Sequence, residues 1–212
     1  MRRTLHGLAI LMAALGLLAL TGCGKTAPTR SYALSYETDN AAAGQSTTAR
    51  EGIAIGVGPV EFPGYLDRPQ VVTRSSANKL ELAEFDHWGG RLKDDFTRVL
   101  AEHLSSALST DRVSVHPWRA SVPVDYQITI RVTAFENDQV GDSLFDARWN
   151  VIDADTEKAL LMARSSYREE TRAGDHAPGA AASYESIAAA MSRNIVSLGR
   201  EITAKIESLT AQ

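Results

Sequence analysis

Past its first thirty residues the chain changes hydrophobic period several times, and the changes mark out its elements. Ser31-Tyr32-Ala33-Leu34-Ser35-Tyr36 alternates and predicts a first strand. Residues 38–50, rich in Ala, Gly, Ser and Thr, predict a flexible loop. Ile53-Ala54-Ile55-Gly56-Val57 predicts a short buried strand that Gly58-Pro59 closes. Gln70 to Arg74 and Lys79 to Ala83 predict two strands joined at residues 75–78. From Trp88 the spacing becomes three and four. Trp88, Leu92, Phe96, Val99, Leu100, His103, Leu104, Ala107 and Leu108 predict one face of an amphipathic helix, with Asp86 as its cap. Val113-Ser114-Val115 predicts a strand that Pro117 ends. Period two then returns: Tyr126 to Ala134, Phe145 to Val151, and roughly Lys158 to Arg168 predict an antiparallel meander, with a turn over 137–141. After a polar loop over 171–179, a second helix runs from about Ser183 to Leu209. Its stripe is Tyr184, Ile187, Met191, Ile195, Leu198, Ile202, Ile206 and Leu209.

The order β-β-β-β-α-β-β-β-β-α predicts an α+β fold, an antiparallel sheet packed against two amphipathic helices in an αβ sandwich. The repeated order invites an internal duplication, although no residue-level repeat is evident.

The N-terminus follows a different logic. Arg2 and Arg3 precede Leu5 to Leu20, sixteen residues without Lys, Arg, Asp or Glu, and Thr21-Gly22 leads to Cys23, the only cysteine. This is the pattern of a secretory signal, too short and wrongly flanked for a stable membrane span. Leu20-Thr21-Gly22-Cys23 also resembles the lipobox of bacterial lipoproteins, in which the cysteine is acylated and the preceding peptide removed. Two or more acyl chains anchor stably where one holds only marginally. The expected organisation is a signal over residues 1–22, a lipid-anchored tether over 23–30 and one domain over 31–212. Gly24 follows the cysteine, where lipoproteins kept at the inner membrane commonly have Asp. That resemblance favours the outer membrane, facing the periplasm.

Removing residues 1–22 leaves 190 of 212, enough for one real core, and moves the formal charge from −4 to −6. An acidic body without a Lys/Arg cluster argues against nucleic acid and against direct docking on an anionic lipid surface. With Cys23 acylated, neither an internal disulfide nor a cysteine-ligated metal remains available.

Catalytic signals are thin. Gly141-Asp142-Ser143-Leu144 matches a GDSL-type esterase block, whose serine needs a histidine oriented by a carboxylate. Here it sits past the middle, at an expected turn, and no Asp-x-x-His follows. His87, His103, His116 and His176 lack metal-ligand spacing; His103 lies on the helix stripe, where a packed, hydrogen-bonded histidine is expected. Asp94 and Asp95 diverge by about 100° on a helix and read as a solvated face. No catalytic constellation, metal or cofactor is expected. Pro63-Gly64-Tyr65-Leu66-Asp67-Arg68-Pro69, with Phe62 before it, is more distinctive. Its prolines preclude a regular helix, and stiff aromatic-bearing loops either cap cores or anchor interfaces.

Several of these segments together resemble the ABC-type transport auxiliary lipoproteins, the PqiC-like family. They are the lipobox, Tyr32-Ala33-Leu34, Ile53 to Val60, Pro63 to Val72, Phe85-Asp86-His87-Trp88 and Arg98 to Leu104. The resemblance implies a non-enzymatic outer-membrane lipoprotein, a ring-forming docking component of an MCE-type (mammalian cell entry) lipid transporter. It implies acylation at Cys23 and an MCE-domain partner. With it, Phe62, Tyr65, Leu66, Asp67 and Arg68 become the expected docking element. Another expectation is a stand-alone periplasmic lipid-binding module, with a cavity lined by residues such as Tyr126, Ile128 and Trp149.

Overall fold

The computed structural model describes residues 28–36, 53–171 and 183–211. The expected signal, Cys23 and most of its tether, the 38–50 loop and nearly all of the 171–179 loop lie outside the described residues, as does His176. Ten regular elements follow: β1 (Arg30–Tyr32), β2 (Ile55–Glu61), β3 (Gln70–Ser76), β4 (Lys79–Trp88), α1 (Leu92–Ala107), β5 (Val113–Val115), β6 (Tyr126–Asp138), β7 (Ser143–Asp153), β8 (Ala159–Glu169) and α2 (Tyr184–Thr210). This is four strands and a helix, twice, in an α+β fold.

All eight strands belong to one sheet. β6 is its spine. Along one edge it pairs antiparallel with β7 from Tyr126↔Asp153 to Asn137↔Ser143. Its other edge is shared: β2 runs parallel to the first half, and β3 pairs parallel with the end, through Thr73↔Asn137 and Arg74↔Asp138. β8 continues the meander antiparallel to β7, and β3–β4 is an antiparallel hairpin. The β1–β4 and β2–β5 pairs are parallel, so the sheet is mixed. Parallel pairing needs a crossover, and α1 lies on the connection that carries the chain from β2 to β6.

The helices pack on one another, α1 over β2 and β5, α2 over β7 and β8. Phe96, Leu100 and Leu104 of α1 meet Phe135, Phe145 and Trp149 of the sheet and Met191, Ile195 and Leu198 of α2, all fully buried in one core. At about 1.5–3 kcal/mol per buried large apolar side chain, this cluster is what makes the fold independent of disulfides. Ser183 caps α2, accepting from the Ser186 N–H at 3.1 Å.

Several local expectations change: the first strand ends at Tyr32 rather than Tyr36, and β6 runs to Asp138, into the expected turn. β2 does not stop at Gly58-Pro59; it runs through that peptide, which is cis, to Glu61. Gly58 has φ +118°, and a Cβ there would stand 2.7 Å from the Cβ of His116, so glycine carries the strand past β5. The Phe85 to Trp88 run belongs to β4, not to α1. Asp86 is therefore no helix cap: it sits buried in the strand, paired with Arg30 (Nε to Oδ1 2.7 Å) and accepting from the Tyr32 hydroxyl at 2.8 Å. The residue capping α1 is Arg91, without a side-chain hydrogen bond, while Asp94 and Asp95 in the first turn favour its positive end. Ala107, expected on the apolar stripe, is exposed, and Leu108 beyond it is buried.

Candidate docking loop and groove

β2 hands over to β3 through the Pro63–Pro69 segment. Pro63, fixed in an extended conformation, precedes a single 3₁₀ turn, Gly64–Leu66, closed by the Leu66 and Asp67 N–H groups donating to the carbonyls of Pro63 (3.0 Å) and Gly64 (3.3 Å). One such turn fits between two prolines where an α-helix does not.

The side chains of this loop divide by direction. Leu66 is buried. Phe62, half-buried, sets its ring edge-on to Phe96 (5.3 Å) and Phe135 (6.1 Å). The Tyr65 hydroxyl donates to Glu136 Oε2 at 2.7 Å, and its ring lies beneath the Arg74 guanidinium, 5.8 Å from the centroid. Glu136 is only 1% exposed, yet its carboxylate is satisfied: Arg74 Nε donates to Oε1 at 2.6 Å and the Phe135 N–H to Oε2 at 2.8 Å. Burial first, then the Glu136 carboxylate, push the Tyr65 phenol far above its ordinary range, so it remains a donor at every physiological pH. Asp67 faces out and pairs with Arg91 at 3.3 Å, with both side chains exposed. Arg68 is half-buried, and its Nε has no partner among the described residues.

Beside the loop lies a cavity of about 370 Å³, with Phe62, Leu66, Asp67 and Arg91 in its lining. It shares Val60, Glu61 and Lys93 with a neighbouring cavity of about 700 Å³. The larger one runs between α1 and β2 beyond the last β2–β5 pair, Val57↔Val115, with Pro59, Ala101 and Val115 on its walls. Together they form a groove with an apolar floor and charges at its rim. The groove residues Glu61, Arg91 and Lys93 escaped sequence reasoning, because they are adjacent only once α1 has crossed over β2.

The esterase reading finds no support in the geometry. Ser143 is 0% exposed and its Oγ accepts from Asn194 Nδ2 at 2.7 Å, while Asp142 is engaged by Arg168 (3.0 Å). His103 is packed, as expected, but not hydrogen-bonded: neither ring nitrogen has a partner among the described residues. It lies edge-on to Tyr36 and fills the space above Gly199. Asp94 is exposed and Asp95 pairs with Arg98 at 3.1 Å. Of the residues expected to line a lipid cavity, Ile128 and Trp149 are fully buried in the core, with Trp149 Nε1 donating to Ser165 Oγ at 2.9 Å, which leaves no lipid-sized space at either side chain, and Tyr126 is half-buried. Among the described residues no group of three metal-ligating side chains occurs, and no helix is long and apolar enough to cross a membrane.

A mixed sheet with two helices on one face, and a proline-framed loop between β2 and β3, defines the α+β fold of this chain. The chain belongs to the family of ABC-type transport auxiliary lipoprotein components, whose profile matches residues 32–203. Its members are lipoproteins that assist transport, so a membrane anchor and an auxiliary role go with the family. Two crystal structures are similar in fold. One, described only as an uncharacterised protein, is 16% identical over 85% of this chain and 99% of its own, with a TM-score of 0.66. The other, protein XCC0632 from Xanthomonas campestris, of family DUF330, is 13% identical over the same shares, with a TM-score of 0.63. No curated protein matches the sequence.

Proposed function

We propose that this protein is a non-enzymatic docking component of an MCE-type lipid transporter, held at the outer membrane by acyl chains on Cys23 and facing the periplasm. The observation that carries the docking part is the groove beside the Pro63–Pro69 loop. Its apolar floor includes Phe62 and Leu66, its rim carries Asp67 and Arg91, and Tyr65 is locked to Glu136, so the loop enters a complex already ordered. The family supports the transport role. The MCE partner, the outer membrane and assembly into a homo-oligomeric ring rest on the PqiC-like resemblance; a monomer mass in native mass spectrometry would remove the ring.

Tyr65 is a poor test residue, because its loss disturbs the buried carboxylate as well as the surface. Asp67→Arg combined with Lys93→Glu reverses two rim charges and leaves the core intact. Crosslinked affinity capture from membranes should recover an MCE-domain protein with the wild type and about tenfold less with the double variant. Equal recovery by both would refute the docking face. Cys23→Ala should abolish palmitate labelling and membrane retention; unchanged labelling refutes the anchor.

A further inference from the structure

The sheet face turned away from the helices carries a row of three arginines in register. Arg131 on β6 stands directly opposite Arg148 on β7, which stands directly opposite Arg164 on β8. All three are exposed, each flanked along its own strand by residues on the buried face. Directly opposed side chains have Cβ atoms about 4.5–5.5 Å apart, and like charges so placed weaken a sheet. Without counter-ions such a row would cost stability.

The outer two members are neutralised and the middle one is not. Arg131 Nε is held by Glu61 Oε2 at 2.7 Å, and Arg164 stands 3.6 Å from Asp146 Oδ1. Arg148 has no ion pair with a described residue. Beside it the surface is hollow: a cavity of about 280 Å³ is lined by Glu61, Thr129, Arg131, Arg148 and Asn150. Thr129 Oγ1 accepts from Asn150 Nδ2 at 3.0 Å, which leaves the threonine O–H proton free to donate. In the adjoining row Asn150 is opposite Met162, the most exposed large apolar side chain described, at 79%.

We propose that this hollow is a phosphate site, with Arg148 as its charge partner and Arg131 and Thr129 as flanking donors. Two guanidinium groups and a hydroxyl carried on two adjacent strands supply several donors around one hollow, enough for the three free oxygens of a phosphate. Glu61 engages Arg131 through Nε alone, which holds that side chain at the rim and leaves its terminal N–H groups to donate. The phosphate is either free or the headgroup of an amphiphile whose chain lies over Met162. The overall acidity of the protein conceals the site, since the surplus charge is local. The inference is independent of the docking groove, which the hollow adjoins only through Pro59 and Glu61.

Calorimetric titration of the lipidated full-length protein, in non-ionic detergent at low salt, tests it with two probes: inorganic phosphate and short-chain phosphatidylglycerol. Arg148→Glu should weaken both by about tenfold or more, and Arg148→Lys, which keeps the charge but not the fork, by less. Equal wild-type affinity for the two probes identifies the phosphate group alone as the ligand. Tighter binding of the lipid, reduced by Met162→Ser, identifies a headgroup. Failure of both probes to bind up to about 10 mM, or an Arg148→Glu protein that binds like wild type, overturns the site. Far-UV circular dichroism unchanged in Arg148→Glu excludes misfolding, and intact MCE capture by that variant separates this test from the docking proposal.

Discussion

The two halves of the molecule repeat one order of elements, four strands then a helix, but they are held together differently. In the second half β6, β7 and β8 form an uninterrupted antiparallel meander, and α2 covers it with a regular apolar stripe. In the first half β1 pairs parallel with β4, β2 leaves its neighbours to lie between β5 and β6, and the loop between β2 and β3 is fastened by Tyr65, Glu136 and Arg74. The pairing schemes do not superimpose, so the repeated order does not extend to the sheet. Periodic burial holds one half; polar contacts between residues 62 and 71 positions apart fasten the other. The irregular half is also where the proposed docking loop and groove lie.

The sharpest way to break that contrast is Glu136→Ala. It leaves the Tyr65 hydroxyl and the Phe135 N–H without their acceptor and frees Arg74, which has water within reach. We expect a loss of about 2–4 kcal/mol in urea unfolding. A loss below about 1 kcal/mol would mean that the lock is dispensable and that apolar packing holds both halves alike.

The seam between the helices comes next. Gly199→Ala should gain about 1 kcal/mol from helix propensity. However, the new Cβ collides with Cδ2 of His103 and lies 3.0 Å from its Cγ and Nε2. That ring is hemmed in by the core, and overpacking costs about 1–3 kcal/mol, so the steric term wins. Net destabilisation by up to about 2 kcal/mol, relieved in the Gly199→Ala, His103→Ala double variant, is the expected result of thermal unfolding. A stabilised single variant would show that the helices separate easily.

The smallest effect is a pH dependence. Burial first, then the charge of Arg200, lowers the His103 pKa below its unfolded value. The unfolded chain then binds the proton more readily, so stability falls as pH drops through and below about 6.5. His103→Gln should flatten the slope of unfolding free energy between pH 7 and 5; an unchanged slope assigns the dependence to other groups.

Legibility followed the same division. The boundaries of α2 and the strands of the meander could be read because burial imposes a period on adjacent residues; that Ser183 caps the helix through its side chain emerged only with the structure. In the first half, Asp86 looked like a helix cap because an acidic residue ahead of an apolar stripe usually is one. Its actual role depends on Arg30 and Tyr32, more than fifty residues away. Gly58-Pro59 looked like a strand end because proline cannot donate to a ladder, but that N is the one β2 does not need once β5 has diverged. The Pro63–Pro69 loop was legible as stiff and distinctive. That Phe62, Tyr65 and Leu66 point inward and Asp67 outward was not, because direction is set by Phe96, Phe135 and Glu136 on other elements.

The sequence by itself determined the α+β composition, the two helix faces, the expectation of a lipid anchor and the family, since each is written in neighbouring residues or in a contiguous motif. Only the tertiary structure decided which strands run parallel, which carboxylate holds Tyr65, where the groove opens and that three scattered arginines share one row. Those properties arise from register and crossover, and register is fixed by the burial of the whole sheet face rather than by any segment that contributes to it.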